Sequence, residues 1–367
     1  MGYVALDPGF WRDRAVFVTG HTGFKGGWLV TWLIEMGAKV TGYALRPDTE
    51  PSYFNLCRLA QRMLSLEGDI CDAPALQRAI RGAQPEVIFH LAAQPLVRRA
   101  FREPVKTFST NVIGTVNILE GARTHNCVRA AVIVTSDKCY DLSGGVRDFK
   151  EGDPLGGEDP YSASKACAEL VAAAYRQSFF HCETSLAIAT VRAGNVIGGG
   201  DWAEDRLVPD AIRALCRAQP LILRNSHAVR PWQHVLEPLS GYLMLAQRLY
   251  EEGDKWVGSW NFGPRIADMI EVGQLADKII ETWGCGSWET AAQSEGLHEA
   301  PALRLDSTKA IEQLEWRPRL RIDKAVKMTV EWYRKVLQES SPDPYEVSRR
   351  QLAEYLETGI LSARAFN

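Results

Sequence analysis

Thr19-Gly20-His21-Thr22-Gly23-Phe24-Lys25-Gly26 is the stretch on which the reading of this chain turns. It follows a strand-length apolar run, Ala15–Thr19, and opens a helical pattern over Phe24–Met36. Its glycines stand in GxxGxxG spacing. Gly20 permits a tight turn, Gly23 lets backbone approach a pyrophosphate, and Gly26 allows close helix–strand packing, so that N–H groups at the helix start face the phosphates. Three glycines alone are weak evidence. The strand before and the helix after them point to a dinucleotide cradle rather than a plain strand–helix turn.

Outward from this loop, short apolar runs alternate with helical patterns. Lys39–Ala44, a run from Leu64 to Asp69, Val87–Leu91, Ala130–Thr135 and Ser185–Arg192 read as strands. Thr107–Thr124 and Tyr161–Phe179 read as helices. This alternation predicts βαβ units, hence an α/β fold: a doubly wound parallel sheet of Rossmann type with right-handed crossovers and strands covered on both faces. After Arg192 the pattern changes. Gly198-Gly199-Gly200 opens a loop, and helices are expected near Val208–Arg217, Glu237–Glu252 and Val272–Trp283, with a short strand at Leu221–Leu223. The expected division is a dinucleotide-binding domain over 10–192, to which 234–263 returns, and a smaller α/β substrate lobe from 193–233 and 264–340. Residues 341–367 form a C-terminal extension.

The 367 residues are 46% hydrophobic and 24% charged, the composition of a globular protein large enough for about two domains. A net charge of -3 with scattered basic residues gives no field for nucleic acid or anionic lipid. No apolar stretch is long enough to span a membrane, and Met1–Arg14 has no signal-like apolar core. Eight cysteines without a CxxC pair argue against a zinc site or disulfide framework, so no metal and a cytoplasmic location with reduced thiols are expected.

Two groups of residues carry chemistry. Tyr161-Ser162-Ala163-Ser164-Lys165 places tyrosine and lysine at i and i+4, on one helix face. A lysine ammonium there is expected to lower the tyrosine pKa and hold ribose hydroxyls. Ser136-Asp137-Lys138 ends the fifth strand, where open α/β sheets bind ligands. Asp137 suits an acid. Lys138 acts as a base only if burial or a nearby cation depresses its pKa. The cofactor is expected to touch Gly20, Thr22, Gly23, Phe24, Lys25, Asp69, Ile70, Leu91, Ala92 and Ala93 besides Tyr161 and Lys165. A solvated helix position is the plainer reading of Lys25. No carboxylate ends the second strand. Arg46 stands there instead, and it suits a 2′-phosphate or is an ordinary loop residue. His90 reads as a satisfied core histidine and Asn111 as structural. Gln94, Asn195, Arg230 and His298 are the expected substrate contacts, with the Arg230 fork suited to a diphosphate.

With these motifs in place, and with Asp153-Pro154-Leu155-Gly156-Gly157, Gly194–Trp202, Arg230–Val235 and His298-Glu299-Ala300 beside them, the chain from Phe10 to Val336 resembles the extended short-chain dehydrogenase/reductase family, in its nucleotide-sugar 4,6-dehydratase branch. Ser-Asp-Lys matches the relatives acting on CDP-glucose, where those acting on dTDP-glucose carry Thr-Asp-Glu. The resemblance implies a lyase using NAD, without excluding NADP. Tyr161 would deprotonate the glucose 4-hydroxyl as hydride leaves C4. Lys138, or a water near it, would take the C5 proton, and Asp137 would protonate the departing 6-hydroxyl. Hydride return to C6 would give a 4-dehydro-6-deoxy sugar for surface polysaccharides. The resemblance also implies a homodimer or homotetramer. A sugar-nucleotide 4-epimerase is the first rival, since it needs the same Tyr161, Lys165 and glycine loop but no acid at 137. A dehydratase for another nucleoside-diphosphate hexose is the second. A non-catalytic redox-sensing or scaffold protein ranks last, because both Tyr161 and Lys165 are present.

Overall fold

The computed structural model describes residues 6–143, 145, 147–180, 186–291, 303–338 and 342–364. Strands β1 (Ala15–Thr19), β2 (Lys39–Ala44), β3 (Leu64–Glu67), β4 (Val87–His90), β5 (Ala130–Val134), β6 (Ala187–Ala193) and β7 (Gly258–Phe262) form one parallel sheet in the order β7-β6-β5-β4-β1-β2-β3. Every residue of β4, β5 and β6 is buried. Alternate side chains enter opposite cores: Val16, Val18, Phe89 and Val132 on one face, and Phe17, Ile88, Ala131 and Ile133 on the other. Period-two alternation into two apolar layers is why these runs read as continuous hydrophobic strands. The strand order reverses between β1 and β4, so a crevice opens beyond their carboxyl ends.

Helices α1 (Phe24–Glu35), α2 (Ala73–Ala83), α3 (Val97–Arg102), α4 (Pro104–Phe108), α5 (Gly114–Thr124) and α6 (Pro160–Phe179) connect the strands. The single helix expected over Thr107–Thr124 is divided by a π turn at Ser109–Ile113. Buried Asn111 lies in that turn, and its amide bonds the Gln94 backbone and Ser164. Pro104 holds Glu103 outside helical geometry, at φ -130°, which separates α3 from α4. The Trp260-Asn261-Phe262 segment, not assigned from sequence, is the edge strand β7 beside β6.

Beyond the sheet, α7 (Leu207–Cys216), α8 (Leu236–Glu252), α9 (Val272–Trp283) and α10 (Ile322–Val336) pack with short two-stranded pairings such as Trp288–Thr290 on Leu221–Leu223. The terminal helix α11 (Pro344–Arg364) lies on the back of α1. The Tyr345 hydroxyl donates to Glu35 at 2.7 Å, and the Tyr355 ring meets the Trp32 ring edge-on. Tyr53 stacks between Trp28 and Trp332. A Cβ at Gly27 or Gly200 would come within 2.5 Å or 2.4 Å of that tyrosine ring, so glycine is needed on both sides of the stack. The C-terminal extension therefore braces the helix that begins at the glycine loop.

Candidate functional site

Gly20 turns with φ +74°, and a Cβ there would lie 2.6 Å from the Ala92 nitrogen. A Cβ at Gly26 would lie 2.2 Å from the Gly20 oxygen. At Gly23, the N-cap of α1, a Cβ would meet only the Gly20 oxygen at 3.4 Å and otherwise project into open space. No side chain caps α1, so its first N–H groups stand at an open cradle that a Cβ would fill. Those features fit a dinucleotide pyrophosphate. Leu91 and Ala92 donate their N–H groups to the Thr19 hydroxyl and, with Ala93, form the half-buried end of β4. The Thr22 hydroxyl donates to the Leu45 carbonyl at 2.9 Å, tying the loop to the end of β2. Phe24 lies against Gly198, where a Cβ would be 3.0 Å from its ring.

The catalytic candidates converge at the ends of β5 and the start of α6. Asp159 caps α6, accepting from the Tyr161 and Ser162 N–H groups at 2.9 and 3.0 Å, which sets Tyr161 in the first turn. Ser136 works to lower the Tyr161 pKa, and the Ser136 hydroxyl donates to Asp137 at 3.0 Å. Burial raises the Asp137 pKa against the lowering influence of Lys138 and Ser136. The expected phenolate-lowering contact is not what the structure holds. Burial pushes Tyr161 up to about 12, and the Lys165 ammonium donates to the Val134 carbonyl at 3.2 Å. Lys165 itself is brought down to about 8 by burial.

Comparison with known proteins places this arrangement. Residues 17–329 match the family model described as GDP-mannose 4,6 dehydratase. The chain belongs to that dehydratase family. It is 48% identical over 356 residues, 96% of its length and 98% of the relative's, to a CDP-glucose 4,6-dehydratase of Salmonella typhimurium. It is 30% identical to a dTDP-glucose 4,6-dehydratase of Streptomyces griseus, covering 87% of this chain and 94% of that one. Among solved structures, a dTDP-glucose 4,6-dehydratase from Streptomyces venezuelae with NAD and TYD bound superposes with a TM-score of 0.74 at 25% identity, covering 87% of this chain and 96% of the other. A UDP-glucose 4-epimerase from Thermotoga maritima with UDP-glucose gives a TM-score of 0.76 at 26% identity, covering 88% and 99%.

Within this dehydratase-family site several expectations change. Lys25 is not a solvated helix residue. It is half-buried, its ammonium lies 5.8 Å from the Tyr242 ring, and burial with Arg206 and Lys165 nearby brings it down to about 7 while Asp137 opposes them. Gln94 is committed to its own loop: its side chain bonds Leu96 and Thr107, and its backbone bonds Asn111. The Ile70 side chain enters the core beneath Gly114 instead of the crevice. Exposed Asp69 accepts from the Cys71 N–H at 2.9 Å. His90 is a core histidine, between the hydroxyls of Thr19 and Thr115. A Cβ at Gly194 would sit 3.1 Å from Asp137, so the loop that carries half-buried Asn195 abuts the acid. Half-buried Arg230 lies two residues before the Trp232 core position. His298 lies outside the described residues.

Two groups escaped the sequence reading. Arg206, paired with Asp201 at 3.5 Å, bears on both Tyr161 and Lys25. Glu169, one turn beyond Lys165, is buried and accepts from Thr135 at 2.5 Å, Thr190 at 2.7 Å and Arg192 at 2.9 and 2.8 Å. The i+4 spacing after Lys165 was the available signal for Glu169. Arg206 stood on a segment read only as a loop. Among the described residues no cluster could hold a metal ion, and no helix is long and apolar enough to cross a membrane.

Proposed function

We propose that this chain converts CDP-D-glucose to CDP-4-dehydro-6-deoxy-D-glucose and water, using NAD regenerated in each turnover. The observation that carries the reading is a buried acid, Asp137, added to a tyrosine–lysine hydride-transfer site in a chain nearly half identical to a CDP-glucose 4,6-dehydratase. When bound along the Gly20–Gly26 cradle and the end of β4, NAD supplies a hydride acceptor at C4 and a donor at C6.

The chain's own residues do the rest. Tyr161, which burial keeps protonated until positive charge is brought beside it, takes the proton of the 4-hydroxyl once ionised, and Ser136 favours that ionised form. Lys165 supplies the cation on the same helix face. A ketone at C4 acidifies C5–H, and Lys138, or a water that it orients, removes that proton. Asp137, kept protonated more readily by burial, gives a proton to the 6-hydroxyl as it leaves as water. Asn195 and Arg230 serve the sugar and diphosphate. An epimerase has no use for that acid.

The functional division in this reading is a dinucleotide domain over 10–192 joined by 234–263, with a substrate lobe from 193–233 and 264–340. Phe101, Val105, Ile113 and Leu170 expose apolar side chains on α3, α4, the π turn and α6, which supports a homodimer or homotetramer through this face. A cytoplasmic site of action suits a nucleotide-sugar substrate.

Incubation of the protein with NAD and, in parallel, CDP-, dTDP-, UDP- and GDP-glucose tests the reading. The expected result is the alkali-induced absorbance of a 4-keto sugar with CDP-glucose foremost. A galactose-configured product without that signal would overturn it.

A further inference from the structure

The acid that usually ends the second strand is missing here, and Arg46 follows β2 in its place. Three contacts locate Arg46 against the cradle. Thr22 of the glycine loop donates to the Leu45 carbonyl, fixing the residue before Arg46 to the loop. The buried His21 side chain of the same loop bonds Ser65 of β3 at 2.7 Å, so that face of β3 packs against the loop that forms the cradle. Glu67 lies two residues further along β3, on the same face by strand alternation and nearer the carboxyl end, in register with Ala44. There the Arg46 Nε donates to both Glu67 oxygens at 2.9 Å.

We infer that Glu67, supplied by β3 in place of the missing β2 acid, reads the 2′ position of the dinucleotide's adenosine ribose, with Arg46 as its counter-ion. This rests on the dinucleotide reading above. A ribose 2′-hydroxyl can donate to the Glu67 carboxylate. A 2′-phosphate must stand beside that carboxylate and compete with it for the Arg46 guanidinium, whose fork suits phosphate as well as carboxylate. Arg46 therefore does not by itself select NADP. Glu67 decides what Arg46 is free to hold.

The experiment is direct binding of NAD and NADP at fixed ionic strength, read by calorimetry, to the wild-type protein, Glu67→Gln, and Glu67→Gln combined with Arg46→Ala. Both side chains are exposed, and circular dichroism confirms that each variant is folded. Glu67→Gln is expected to shift the ratio of NADP to NAD affinity about tenfold toward NADP, the size of one freed arginine–phosphate contact. Adding Arg46→Ala should cancel the gain. A ratio within twofold of wild type for Glu67→Gln overturns the inference, as does a gain that persists without Arg46. Wild-type protein that binds neither dinucleotide overturns the cradle reading and this inference with it, whereas failure on CDP-glucose alone touches only the substrate reading.

Discussion

Two carboxylate–arginine pairs in this molecule share their chemistry and differ in everything else. Glu169 and Arg192 have side chains only 2% exposed, beside the end of β5, and Glu169 also accepts from Thr135 and Thr190. Arg46 and Glu67 are 82% and 60% exposed at the end of β2 and β3, and among the described residues no further bond joins them to a network. A buried pair left without its partner strands an uncompensated charge, so it is rigid and costly to alter. An exposed pair is screened and exchanges partners readily. The first therefore holds Thr135, one residue before Ser136, against the helix of Tyr161 and Lys165. The second is free to take part in recognising a ligand.

The comparison is sharpened first by removing the group that the buried network positions. Tyr161→Phe should lower turnover by about a thousandfold, within the range of a lost general base, while leaving NAD binding by calorimetry unchanged. Unchanged turnover would mean that the network serves only the fold. Next, Glu169→Gln should cost about 3–5 kcal/mol of stability in a urea titration, as breaking a buried pair does. A cost below about 1 kcal/mol, the exposed-pair range, would erase the distinction between the two pairs.

A smaller effect concerns pH. Lys165 is brought down to about 8 by burial, and the Glu169 charge pulls the other way. If Lys165 works as the cation proposed above, the rate should fall as pH rises through about 8. With the Glu169 charge removed the ammonium loses its support, so the falling limb of the kcat profile should move to lower pH. A limb that stays in place would limit Glu169 to packing. The smallest effect is at the exposed pair: Glu67→Gln should change stability by less than about 1 kcal/mol in the same urea titration, despite its effect on cofactor choice.

What was legible in the sequence follows from what is local. The strands β1, β2 and β5 and the helix α6 were readable to within a residue or so, because strands buried on both faces must be continuously apolar and a Pro-led helix announces its start. The π turn was not, because it accompanies Asn111 reaching across to Gln94, a contact no periodicity reports. Lys25 was misplaced for a related reason. Its position near the helix start looked solvated until α8 brought Tyr242 beside it.

The glycine spacing, the Tyr161–Lys165 interval and the Ser136-Asp137-Lys138 strand end were determined by the sequence alone, since each is a geometry within one turn or one helix. Only the tertiary structure decided what state those groups are held in. Burial lifts Tyr161 and Asp137, Lys165 turns to a strand carbonyl, and the partner of Arg46 comes from a strand some twenty residues away. Desolvation and charge pairing depend on which distant segments pack together, and that is settled by the assembled sheet and its two cores.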